Sequence, residues 1–398
     1  MCEAFAQSDP NDTNNYTNNA NKIAVELIVP RRHRYPNTGE GSILEYYNIK
    51  TPFKIIELKS PDLININLGP FFNKILFWVQ QFIFARSSKK YLVDKEGIVY
   101  SRDPFVLSLI DASRFKLFWE VHNFPNKINS RFYKKLLNKI NGLIVISEGL
   151  KEDFKKHYKG PILVAPDGVD LGEFNCQENK IQLREKFFNF HYDCYRRKKI
   201  AVYTGHLYPW KGADILINVA ENLKNINPNY LVWIIGGTEF DINNFGQKLK
   251  IHPNIVYAIR TKTNAKNEDY SIVMEGMFSH KKIDAVLKTA DCAILTGNES
   301  ETISVKYTSP LKMFEYMASG CPIVAQDLPS FREVLNGNNS VFAKAGDAED
   351  LANKIAWVFD DKNKELVEKI AEQAKEDVKN YTWQKRAETI IKFLCSQS

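Results

Sequence analysis

Short apolar runs alternate with helical stretches along most of this chain, and no other feature restricts its fold as much. Residues 23–29 read as a strand closed by Pro30, and further strand-like runs fall at 53–58, 97–100, 115–121, 143–146 and 162–165. Helical spacing of apolar residues lies between several of them, at 131–140 and 148–157. Such alternation predicts a parallel sheet with helices on both faces. The pattern pauses at Pro166-Asp167-Gly168-Val169-Asp170 and restarts. Strands are then expected at 200–204, 231–235, 255–258, 272–274, 292–295 and 322–325, and helices at 213–223, 282–288, 310–318, 348–359 and 364–380.

A chain of 398 residues exceeds one ordinary core. The expectation is an α/β protein of two doubly wound, Rossmann-like domains, residues 1–168 and 169–375, with a terminal segment 376–398 returning to the first. Ligands of such sheets bind at the carboxyl ends of the strands, which predicts a site in a cleft between the domains.

Hydrophobic residues make up 44% and charged residues 25%, a soluble composition with no clean apolar run of membrane-spanning length. Met1-Cys2-Glu3-Ala4 lacks the basic start of a secretory signal, so a cytoplasmic protein is expected. The six cysteines form no Cys-x-x-Cys pair, which argues for reduced thiols and no metal site. The net charge of +7 sits wholly in the first half: residues 1–168 hold 24 Lys+Arg against 17 Asp+Glu, and the remainder hold 30 of each. Such a half suits an anionic lipid surface or an acidic acceptor, or is simply a solvated basic face. The polar, Asn-rich residues 8–21 read as a loop. Residues 68–85 are dominated by Phe, Ile, Leu and Trp, interrupted by Lys74, Gln80 and Gln81. They cannot span a bilayer; a core or domain-surface helix and an interfacial helix at the inner face of a membrane both fit.

Three segments carry chemistry. In the run from Ser309 to Ala325, Ser309 suits an N-cap and Pro310 the first helical position, so free N–H groups would point outward toward a diphosphate. Lys312 would add positive charge, and Glu315 would accept hydrogen bonds from a ribose diol. Leu311, Phe314 and Ala318 would form the apolar face of that helix, ended by Gly320. A plain αβ unit with a surface Glu fits the same pattern. In the second segment, 202–212, a strand ends at Gly205 and Lys211 precedes a helix, suited to close approach and phosphate contact. Neither a P-loop nor a Gly-x-Gly-x-x-Gly motif occurs, which argues against a dinucleotide oxidoreductase. In the third, His122 lies just past a strand end; a lone His is also often structural.

Together these segments resemble the retaining nucleotide-sugar glycosyltransferases of family 4, which have the GT-B fold, over about residues 97–390. Gly205 to Gly212 is similar to the family's Gly-Arg-x-x-x-x-Lys-Gly loop, and Glu315 to Pro322 to its Glu-Ala-Met-Ala-x-Gly-x-Pro motif. Pro166 to Asp170, Val145 to Glu148, and the Tyr381-Thr382-Trp383 and Arg386-Ala387 segments resemble its remaining landmarks. The resemblance implies a hexosyl transfer with retention, through an oxocarbenium-like transition state and without a metal. His122, Lys211 and Glu315 would be the catalytic set. Gly205, His206, Lys211, Thr308, Ser309, Leu311, Lys312 and Glu315 would hold a nucleotide-diphosphate sugar. The acceptor would be a glycan or a lipid-linked sugar in polysaccharide or glycolipid synthesis, with peripheral membrane contact and no nucleic acid.

The chain departs from the family at four places. His206 stands for the phosphate Arg, Tyr307 for the first of two glutamates, and Asp167 for an Asn. At the start, the strand and Gly- or Ser-rich loop expected before the helix at residues 1–7 are absent. The implied gap would leave two strand edges unpaired and buried, and the expectation is a product starting upstream or an impaired enzyme. A non-catalytic nucleotide-sugar-binding partner and a sugar-nucleotide epimerase are the alternatives.

Overall fold

In the computed structural model the described residues are 1–7, 24–31, 49, 53–61, 63, 68–188, 197–252, 254–255, 257–259 and 270–397. The polar run 8–21 lies outside them. The chain divides into two compact units: Met1–Pro166 with Trp383–Ser398, and Asp167–Thr382. Among the described residues every strand pairing is parallel.

The first unit opens with helix α1 (Cys2–Gln7) and strands β1 (Glu26–Arg31) and β2 (Lys54–Lys59), which pair with each other. Helix α2 (Pro70–Tyr91) follows. A four-stranded sheet is then built in simple order from β3 (Gly97–Ser101), β4 (Phe115–Val121), β5 (Gly142–Val145) and β6 (Ile162–Val164). Helices α3 (Pro104–Leu109), α4 (Arg131–Leu137) and α5 (Glu148–Phe154) connect these strands. Asp103, Ser130 and Ser147 cap their N-termini by accepting backbone N–H bonds, which explains where each helix starts. The last helix, Trp383–Ser396, buries Ile390 and Leu394 against Phe118, Ile144 and Ala165.

Two expectations change here. Pro30 lies inside β1 instead of ending it. Among the described residues β1 has one strand partner, and a missing N–H on the side away from it removes no ladder bond. Among the described residues β1 and β3 each have a single partner, but they are half-buried or exposed, not buried.

The second unit contains α6 (Lys180–Phe188), β7 (Lys199–Thr204), α7 (Ile215–Ile226), β8 (Tyr230–Ile235), α8 (Glu239–Leu249), β9 (Tyr257–Ile259), β10 (Ile272–Glu275), α9 (Ile283–Thr289) and β11 (Cys292–Leu295). It continues with α10 (Leu311–Ser319), β12 (Ile323–Gln326), α11 (Pro329–Arg332), β13 (Val341–Ala343), α12 (Ala348–Phe359) and α13 (Lys364–Asp377). The strands form one sheet in the order β13-β12-β11-β7-β8-β10-β9. Its strands are apolar on both faces. In β7, Ile200 and Val202 enter one core cluster, and Ala201 and Tyr203 enter the other. Where the chain enters and leaves this unit it runs beside itself: Val169 N–H donates to the Tyr381 carbonyl at 3.0 Å, and Val169 bridges Thr382.

Candidate active site

The order of the seven strands reverses at β7. From β7 the chain builds outward through β8 to β10 and β9, then returns to place β11, β12 and β13 on the other side. Loops leaving the carboxyl ends of β7 and β11 therefore diverge, and such a switch point opens a crevice. Gly205, His206 and Lys211 lie on the loop after β7. Thr308, Ser309, Leu311, Lys312 and Glu315 lie after β11, around the start of α10.

The two loops are tied by side-chain-to-backbone bonds across a close approach of their backbones. Lys211 is the last residue of a 3-10 turn, Pro209–Lys211, and Gly212 follows at φ 64°. A side chain on Gly212 would overlap the carbonyl of Gly297, in the loop after β11. Thr296 Oγ1 donates to the Lys211 carbonyl at 2.7 Å, and Asn298 Nδ2 to the Pro209 carbonyl at 3.3 Å. These contacts fix the backbone from which Lys211 projects. Gly205, at φ 127°, presents bare backbone at the strand end.

Charge gathers at the start of α10. The Glu315 side chain is 12% exposed, and its Oε1 meets His280 Nε2 at 2.9 Å. His280 Nδ1 meets Glu173 at 2.9 Å, so one imidazole bridges two carboxylates. The bond to Glu315 is the main reason that the His280 pKa rises to about 9. Lys211 is half-buried; burial lowers its pKa, opposed by the Glu315 charge. Lys312 is 7% exposed, and its Nζ has no hydrogen-bond partner among the described residues. It lies 3.8 Å from the centre of the Tyr203 ring. Burial first, and then the Lys211 charge, push the Lys312 pKa well below that of an ordinary amine, opposed by Glu315. Tyr316, one position on, accepts the Thr204 N–H at 2.9 Å and so docks α10 on the end of β7.

The local geometry corrects four expectations. The N-cap of α10 is Pro310, in extended conformation and without a side-chain cap, so the helix starts at Leu311. Ser309 does not cap it; its Oγ accepts the Asp167 N–H at 3.0 Å. Leu311 is exposed and Lys312 buried, so the apolar face is rotated from the one expected. Lys211 does not directly precede a helix, since α7 begins at Ile215. Thr308 ends a five-residue π-helical turn, Ile303–Tyr307, a rare geometry often found at functional sites. His206 stacks on Tyr208 with ring centres 4.9 Å apart, and its Nδ1 is buried with no partner among the described residues. His280, Glu173 and Tyr203 carry no motif that marks them in the sequence.

His122 belongs to the first unit, one residue past β4. Its Nε2 is 2.7 Å from Glu120 Oε1. Glu120 is buried and also holds Arg102 at 3.1 Å, Arg386 at 2.8 Å and the Tyr100 hydroxyl. Burial raises the Glu120 pKa, but His122, Arg386 and Arg102 outweigh it and hold the carboxyl well below the usual range. A carboxylate at Nε2 requires the proton there, which fixes the His122 tautomer. Among the described residues no three His, Cys, Asp or Glu side chains gather as a metal set.

A family model described as "Glycosyl transferases group 1" matches residues 186–377. The matched stretch is just under half of the chain. It covers β7 to α13 and so includes Lys211, His280, Lys312 and Glu315. Two proteins of Methanocaldococcus jannaschii, both named as uncharacterized glycosyltransferases, are 24% identical over 275 and 262 residues, or 66% and 65% of this chain. The chain spans 61% of the length of each. Among solved structures, Anabaena HepE in complex with UDP aligns with a TM-score of 0.65 at 16% identity, covering 89% of this chain and 88% of that one. A glycosyltransferase from Rickettsia africae aligns with a TM-score of 0.62 at 22% identity, covering 90% and 89%. Sucrose-phosphate synthase from Thermosynechococcus elongatus gives 0.64 at 15% identity, covering 94% and 88%. At these identities the likeness carries the fold, which is the GT-B α/β fold with parallel sheets.

Proposed function

We propose that this chain transfers a hexosyl group from a nucleoside-diphosphate sugar to a hydroxyl of a glycan or lipid-linked acceptor, in polysaccharide or glycolipid synthesis. The observation that carries this reading is the buried Lys312 amine. It has no protein acceptor among the described residues and stands at an uncapped helix start beside Lys211. A buried cation without a partner is costly, and a bound diphosphate supplies what it lacks. Glu315, four residues from the end that meets phosphate, takes the ribose hydroxyls. Lys211 and Lys312 do the work of the phosphate Arg whose place His206 holds.

In the transfer, the bond between the anomeric carbon and the β-phosphate oxygen breaks, and the acceptor oxygen bonds to that carbon on the same face. The acceptor proton passes to the departing phosphate. Lys211, Lys312 and the α10 N–H groups stabilise charge growing on the leaving group. His122, oriented by Glu120, is the proposed catalytic histidine of the first unit.

Calorimetric titration with UDP, GDP, ADP and CMP tests the donor site, on the native chain and on Glu315→Ala. One nucleoside diphosphate should bind, and Glu315→Ala should weaken it at least about tenfold. Failure of every nucleotide to bind the folded chain would sink the reading. Binding without turnover of any nucleotide sugar would leave a non-catalytic partner subunit instead.

A further inference from the structure

Helix α2 is turned inside out for a protein in water. The side it presses against the protein carries Gln80, Ala85 and Ser88, all buried, and the Gln80 amide oxygen accepts the Leu63 N–H at 2.7 Å. The side it shows to solvent carries aromatic rings. Phe71 is 72% exposed and Phe82 57%, and Phe72, Ile75, Phe77, Trp78 and Val79 are exposed as well. A contiguous apolar face of this kind on a soluble surface marks an interaction site.

The sequence of that face says what covers it. Positions 71, 75, 78, 82, 86 and 89 fall on one helical stripe, spaced by four or three residues. Its first two-thirds are Phe71, Ile75, Trp78 and Phe82; its last third is Arg86 and Lys89, with Lys90 beside them. Arg86, Lys89 and Lys90 are exposed, and residues 68–91 contain no Asp or Glu. Trp78 also stacks edge-on with Phe105, which stacks on Phe132 of α4. Next to Phe132, Arg131, Lys134 and Lys135 are exposed. Apolar rings rimmed by cations, with no acid among them, complement an anionic lipid surface. The rings enter the acyl boundary and the cations pair with phosphates. No described helix is long and apolar enough to cross a membrane.

We infer that α2 is a membrane-interface helix that docks the first unit on an anionic bilayer, with the stripe from Phe71 to Phe82 in the lipid. The inference stands on this face alone and does not rest on the transfer reading. It is tested by sedimenting the full chain with vesicles of neutral phosphatidylcholine, or of phosphatidylcholine with 30% phosphatidylglycerol as probe.

The full chain should bind the anionic vesicles and weaken as salt rises. Phe71→Ser with Phe82→Ser should lower partitioning at least about tenfold. Arg86→Glu with Lys89→Glu should abolish the preference for anionic lipid. Quenching by lipids brominated on the acyl chain should fall in Trp78→Phe. All these positions are exposed, and unchanged thermal midpoints would show that the variants fold. Absence of sedimentation by the folded chain would overturn the inference. So would binding indifferent to both double variants. A chain that dimerises through this face in light scattering, and becomes monomeric in Phe71→Ser with Phe82→Ser without vesicle binding, would replace the bilayer with a second copy.

Discussion

The Lys312 Nζ lies 3.8 Å from the centre of the Tyr203 ring, with no hydrogen-bond acceptor among the described residues. A ring face attracts a cation but cannot take its N–H bonds, so the amine is only partly compensated. Lys312→Met keeps most of the volume and removes the charge. The free protein should gain about 1–2 kcal/mol of stability. Nucleoside diphosphate binding should weaken at least about tenfold. Thermal melts with and without UDP read both effects. A variant less stable than the parent would mean that the amine has an unseen structural role.

His280 couples the Glu315 carboxylate to pH. Its folded pKa is raised to about 9 by its carboxylate partners, against about 6.5 when unfolded. Its contribution to stability is therefore complete below about pH 6.5 and is lost as pH rises through about 9. In His280→Gln the gap in thermal midpoint from the parent should be widest near pH 6 and close by pH 10. A constant gap would show that the imidazole is not held as a cation.

In the first unit, Glu120→Gln removes the carboxylate that His122, Arg102 and Arg386 share. Arg386 is itself buried, so its charge would lose its main partner there. The cost should be about 3 kcal/mol, seen as roughly hundredfold faster hydrogen exchange of the β4 amides that open with the unit. Because the Glu120 pKa is depressed, its stabilisation is present above the unfolded carboxyl pKa and fades as pH falls toward the folded value. Exchange unchanged from the parent would refute the buried network.

Gly212→Ala asks whether the tie between the two site loops positions Lys211. The substitution strains a φ of 64° and pushes a methyl group into the Gly297 carbonyl. A loss of about 2 kcal/mol or more is expected, with weaker nucleotide binding. Full affinity in a destabilised variant would mean that Lys211 finds its place without that contact.

Much of the fold is legible because burial on both faces of a parallel sheet writes each strand as an apolar run. Residues 115–121 and 292–295 are strands at the bounds read from the sequence. The start of α10 was harder to read. Ser309-Pro310 has the composition of a cap and first turn, yet the hydroxyl is claimed by Asp167, 142 positions away in the chain. A long-range bond outcompeted a local one, and no local pattern encodes that. His280 lacks a motif for the same reason: its two carboxylate partners are brought to it by tertiary structure. Helix α2 shows the converse. Its apolar content was plain, but the side that faces the protein carries buried Gln80, which interrupts the run, and buried Ser88, which lies beyond it.

The hydrogen-bonded pair of Val169 and Tyr381 closes the second unit at its neck, while α1 and the Trp383–Ser396 helix both belong to the first. In chain order the second unit is thus an insertion in the first. A pull on those two outer helices is borne first inside the first unit, and tension reaches residues 167–382 only after that unit yields. In an optical trap the molecule should therefore rupture in a fixed order, the seven-stranded sheet last.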